Sequence, residues 1–303
     1  MRALSRRLAF LSALLAAAPA AAHPGHHHGA PGWTWDPAIL VPLALALALF
    51  LIGWRRIAAR SGRGAAWRRR LGLFVAGWLM LAGALVSPLH EAGERSFALH
   101  MTEHELLMLV AAPLLVLAEP LAVLLWAFPA GARRGIGRLV ARPWLAAMWR
   151  WLTAPVPATA LQAAALWGWH APALFDRALR SPGWHAAQHA SFLATALLFW
   201  TAMLGRRGGR AAHAAGQAVA ALCLFATSVV SGGLGALMAV SDSPWYAGYA
   251  ALGLAPFGLT PAEDQQLAGL IMWVPGGLVH ALAALVLVRQ LLIQGEARHA
   301  DAL

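Results

Sequence analysis

An all-α polytopic membrane protein, a seven-helix transmembrane bundle behind a cleavable signal peptide, is the fold class this sequence predicts. Three observations carry the prediction. Of 303 residues, 60% are hydrophobic and only 12% charged, which is outside the range of a water-soluble globular domain. Apolar runs long enough to cross ~30 Å of hydrocarbon recur along the chain. The 23 basic residues are all Arg and sit in short clusters between those runs. That distribution marks topology determinants rather than one basic face, so the net charge of +11 does not point to nucleic acid.

Taken in order, residues 1–22 carry Arg2, Arg6 and Arg7, an apolar core from Leu8 to Ala17, and Ala20-Ala21-Ala22, the layout of a secretory signal with a small-residue cleavage site. Residues 23–36 form a polar exported leader whose His23, His26, His27 and His28 could collect a metal ion. Predicted spans follow at 37–54, 71–89, 99–127, 154–170, 185–204, 211–240 and 268–290, giving a membrane domain over 37–292 and a tail over 293–303. The segments 55–70, 129–152, 205–210 and 289–303 hold 17 Arg, against 3 in 88–98, 170–184 and 241–267. The positive-inside rule therefore puts the mature amino terminus outside and the carboxyl terminus in the cytoplasm of a bacterial inner (plasma) membrane. Trp residues near span ends fit an interfacial belt in contact with lipid. The stretch with Arg138, Arg142 and Arg150 reads as a surface-lying helix. Cys223 is the single cysteine, so neither an intramolecular disulfide nor a thiolate pair is available.

The chemistry concentrates in the histidines. On a helix turning about 100° per residue, His100, His104 and Met108 fall at roughly 0°, 40° and 80°, with Met101 at about 100°. His185 and His189 are also four apart and share a face. His170 ends the fourth predicted span at the same membrane surface, and Asp264 and Met272 lie on the last. Imidazole mixed with thioether favours copper, and cuprous copper in particular. The expected metal ligands are His100, Met101, His104, Met108, His170, His185, His189 and Met272, with Asp176 and Asp264 either orienting the histidines or capping loops. His280, deep in the last span, is a candidate intramembrane relay or a helix-to-helix hydrogen bond.

Three stretches, HMTEHELLMLVAAPLLVL at 100–117, WHAPALFDRAL at 169–179 followed by HAAQHASFLATALLFW at 185–200, and DQQLAGLIMWVPGG at 264–277, resemble the multi-span CtaG-type cytochrome c oxidase assembly proteins. The likeness covers about 71–290. It implies a seven-helix membrane bundle that helps to assemble haem-copper oxidases by supplying copper. His100, Met101, His104, His170, His185, His189, Asp264 and Met272 stand at the family's motif positions. The sequence departs in its His-rich leader and in carrying Glu103 and Glu105.

The expected function is thus a non-enzymatic assembly factor that holds copper at the outer face and hands it to an oxidase subunit, with a periplasmic copper donor upstream. Two alternatives remain open at this point. One is a copper transporter acting through the bundle past Met272 and His280. The other is a haem-binding redox protein, for which stacked i, i+4 histidines are a poorer fit.

Overall fold

The computed structural model describes residues 30–62, 64–205 and 210–300. The expected signal and the leader residues His23, His26, His27 and His28 lie outside the described residues. All regular structure among the described residues is helical. Among the described residues, six helices are long and apolar enough to cross a membrane: Pro37–Ala58, Gly64–Val86, Phe97–Leu117, Pro182–Leu204, Ala215–Ala239 and Pro261–Gly295. The expectation of seven rested on 154–170, where the helix is Pro155–His170, only 16 residues.

Helix α1 (Pro37–Ala58) starts where the Asp36 carboxylate accepts from Ala38 N, with Pro37 fitting the first turn because no N–H is needed there. It forms a hairpin with α2 (Gly64–Val86), held by Phe50 stacked on Phe74 at 3.6 Å and by Trp78 Nε1 donating to Leu43 O. A short helix, α3 (Pro88–Gly93), capped by Ser87, turns the chain into α4 (Phe97–Leu117).

The predicted third span 99–127 is corrected here. It ends at Leu117, because Glu119, in a left-handed conformation at φ 51°, precedes Pro120, and a residue before proline disfavours the α region. The chain resumes as α5 (Pro120–Leu125), and Glu119 pairs with Arg70. Inside α4, residues Leu106–Ala111 form a π-helical turn, in which Ala112 N reaches back to Leu107 O. The next bond in that register would need an N–H from residue 113, which is proline. The freed Met108 carbonyl instead accepts from Trp200 Nε1 at 2.9 Å.

Helices α6 (Ala130–Val140) and α7 (Pro143–Leu152) bury no residue and expose Trp144, Trp149 and Trp151, as surface-lying helices do. Then come α8 (Pro155–His170), α9 (Pro172–Arg180), α10 (Pro182–Leu204) and α11 (Arg210–Ala239). The short α12 (Ala247–Leu252) leads to α13 (Pro261–Ala300). Helices α11 and α13 touch backbone to backbone: a Cβ on Gly235 would stand 2.7 Å from Gly269 O, so glycine is required for the approach.

The start of α4 is tied down from α13. Asp264 accepts from Ser96 Oγ at 2.7 Å, Phe97 N at 2.6 Å and Ala98 N at 3.3 Å. Its neighbours hold the preceding loop: Gln265 bonds Trp245 N and Ser243 O, and Gln266 bonds Ser241 O. All three polar side chains of the Asp-Gln-Gln run are thereby spent on fixing backbone.

Candidate metal centre

The tie at Asp264 sets the first turn of α4, and that turn and the next carry His100 and His104, each 1% exposed. Both side chains face α10, where His185 and His189 stand four apart. Ring centroids lie 4.3 Å apart for His100 and His104, 5.3 Å for His100 and His185, 4.9 Å for His104 and His189, and 4.4 Å for His185 and His189. Donor atoms of His100, His185 and His189 all fall within 4.8 Å of one another. His100 Nε2, His185 Nε2, His189 Nε2 and both nitrogens of His104 are buried without a hydrogen-bond partner. Buried polar groups of native proteins are nearly always paired, so a group of bare imidazole nitrogens facing one another calls for a ligand between them.

Two residues that pattern reading passed over complete this end. Glu103 is fully buried; its Oε1 lies 2.7 Å from His90 Nδ1 and 3.6 Å from His189 Nδ1. Donor atoms of His90, Glu103 and His189 form a second group within 4.8 Å. A carboxylate at Nδ1 holds the proton there and leaves Nε2 bare, the usual way a metal-binding imidazole is oriented. Gly93 lets α3 come this close, since a Cβ there would lie 3.2 Å from His100 Cα. Burial disfavours the charged form of His90, but its hydrogen bond to Glu103 and that carboxylate's charge outweigh it and hold the ring above its ordinary pKa. A helical wheel signals Glu103, which at about 300° from His100 borders the same face. His90 belongs to a separate helix and had no such signal.

The third wall is α8. His170 Nδ1 lies 2.7 Å from Leu166 O, and its Nε2 lies 3.4 Å from Met101 Sδ; both side chains are buried. Deeper along α8, Gln162 Nε2 donates to Met108 Sδ at 3.3 Å, so α8 runs antiparallel to α4. An aromatic group closes the end: Phe97 meets Phe175 and Tyr246, and His100 packs on Phe175 at 5.4 Å. Tyr249 Oη donates to Gly93 O and Tyr246 Oη to His170 O. Burial pushes both phenols above their ordinary range, so each is a neutral donor.

The structure thus gathers His100, His104, His170, His185, His189 and Met101 at one end of the bundle. Met108 sits lower, in the π turn, which displaces it from the ideal helical angle. Asp264 binds backbone and Ser96, and Asp176 accepts from Gly248 N at 3.1 Å. Met272 is buried on α13, and among the described residues no hydrogen bond or ring contact joins it to the imidazoles. His280 stacks on Trp200 and lines a separate cavity of about 40 Å³ with Glu105, Met108, Thr159, Gln162, Thr227 and Ser231.

The family model described as cytochrome c oxidase caa3 assembly factor (Caa3_CtaG) matches residues 48–294. The chain belongs to the Caa3_CtaG family. The match covers the histidine end, the cavity and all six long apolar helices except the first turns of α1 and the end of α13. A Caa3_CtaG protein is an assembly factor for cytochrome c oxidase, which makes a haem-copper oxidase the partner. No curated protein and no solved structure matches this chain.

Proposed function

We propose that this assembly factor binds copper at the histidine end of the bundle and passes it to a subunit of a haem-copper oxidase during assembly. The observation that carries the reading is the set of bare, buried ring nitrogens on α4 and α10 facing one another. Imidazole with an adjacent thioether selects copper over harder ions, and the lack of thiolates suits release to an acceptor. The protein acts by binding and ligand exchange rather than catalysis. Helix α8 supplies the seventh crossing: 16 residues rise about 24 Å, short of the ~30 Å hydrocarbon thickness, with one face, Ala158, Gln162, Leu166 and His170, buried in the bundle and the opposite face, from Val156 to Trp167, exposed. With seven crossings the Arg distribution puts the histidine end and mature amino terminus outside the bacterial inner membrane, and the carboxyl terminus in the cytoplasm. A periplasmic copper donor then loads the site, aided by His23, His26, His27 and His28 once the signal is removed.

Metal analysis of the purified chain with cuprous ion added tests this reading. His100→Ala/His104→Ala is expected to lose the bound copper, and deletion of 23–28 to slow loading without changing stoichiometry. Copper content unchanged in the double variant rejects the reading. One observation favours a second reading, transport: the cavity with Met108 and His280 lies beneath the histidines along the bundle. Copper uptake by vesicles without any oxidase, abolished in His280→Ala, would establish transport. Haem fits less well, because the rings touch one another at 4.3–5.3 Å and leave no slot for a macrocycle. A Soret band in the purified protein would reverse that judgement.

A further inference from the structure

We propose that the histidine end holds two metal sites of different character: a nitrogen site on His100, His185 and His189, and a separate soft site on Met101 Sδ and His170 Nε2, completed by His104. The inference rests on the copper-binding reading above and divides its ligands.

The decisive contact is between His170 and Met101. A carbonyl can only accept, so the 2.7 Å approach of His170 Nδ1 to Leu166 O places the ring proton on Nδ1. Nε2 of the neutral ring is then a bare lone pair, and it stands 3.4 Å from a thioether sulfur that has no proton to give. Two buried lone-pair donors aimed at each other gain nothing from the contact unless a cation lies between them. The spacing fits one: metal bonds of about 2.0 Å to nitrogen and about 2.3 Å to sulfur at a tetrahedral angle span roughly 3.5 Å. His104 is the available third ligand. Both its nitrogens lack partners, and its ring packs on Phe192 at 4.7 Å, the same ring that flanks His170 at 6.2 Å.

The nitrogen site differs in both helix pair and chemistry. Its ligands come from α4 and α10 rather than α4 and α8, and the buried Glu103 carboxylate beside His189 adds negative charge suited to a divalent ion. A thioether with neutral imidazoles suits a soft monovalent ion. His100 and His104 stand one helical turn apart with rings 4.3 Å apart, so an ion leaving one site is already in contact with a ligand of the other.

Zinc(II) and silver(I), neither of which changes oxidation state, are the probes for the purified full chain in detergent. Zinc-saturated wild type is expected to take up one further equivalent of silver. Met101→Leu, close in volume, should weaken silver roughly 10–100-fold and leave zinc unchanged. Retained zinc binding also shows that this variant is folded. His170→Gln should behave in the same way, and His185→Ala should do the reverse. Silver excluded by zinc, silver affinity unchanged in Met101→Leu, or both metals lost together from a variant that keeps its wild-type unfolding temperature would overturn the two-site arrangement. Those results leave metal binding itself intact. Zinc and silver both unaffected by His100→Ala/His104→Ala would instead reject the underlying copper-binding reading.

Discussion

Two polar regions sit one below the other in this bundle, and their unpaired atoms have different meanings. At the histidine end, rings 4.3–5.3 Å apart direct bare nitrogens at one another. Around His280, the unpaired Glu105 Oε2, Thr159 Oγ1 and Gln162 Oε1 border a cavity of about 40 Å³. A water needs about 10–15 Å³ of such space, so the lower region can satisfy its polar groups with about three waters. The upper region places nitrogen against nitrogen and nitrogen against sulfur, contacts that a cation satisfies better than water does. An unpaired buried atom therefore signals a ligand only once the space around it is known.

The largest test of this difference is at His189, which belongs to both groups of converging donors. Zinc at about 100 times its Kd should stabilise the wild type by about 2.7 kcal/mol. In His189→Ala that increment should vanish; thermal unfolding with and without metal measures it. Next, His104→Leu should stabilise the metal-free protein by about 1–3 kcal/mol, because an unsatisfied buried ring is removed, while silver binding is lost. A destabilised His104→Leu would mean that the ring is paired without metal, and the contrast between the regions would fail. Smallest, Thr159→Val at the cavity should change stability by no more than about 0.5 kcal/mol, since water already serves that hydroxyl. A loss comparable to that at the histidine end would make the cavity a second ordered site.

Helical spacing in the sequence was enough to place His100 with His104 and His185 with His189, because i, i+4 pairs share a face whatever the bundle does around them. His170 followed from its position at a span end. Three features were not legible. His90 joins the site because Gly93 admits α3, and a glycine at the end of a short helix does not announce a close approach. Met108 was displaced by a π turn whose sequence trace, Pro113, is equally compatible with a simple kink. Whether the Asp264 carboxylate orients a histidine or caps backbone stayed open, because depth alone cannot separate a ligand's partner from a cap on a helix start 168 residues away in sequence. The predicted third span ran on to 127 because hydropathy is blind to the left-handed residue before Pro120.

That distant cap also sets an order of events during biosynthesis. The helix bearing His100 and His104 emerges from the ribosome long before Asp264, yet its first turn is held in part by α13. A nascent chain lacking α13 keeps the Ser96 hydroxyl on Leu99 N but leaves Phe97 N and Ala98 N without the Asp264 carboxylate. On the copper-binding reading proposed above, insertion of α13 completes the histidine end, so a chain carrying α13 is expected to load metal faster than one without it. Asp264→Ala should remove that advantage: a full-length chain with this change is expected to load metal as slowly as one ending before Pro261, measured by copper uptake after synthesis into vesicles.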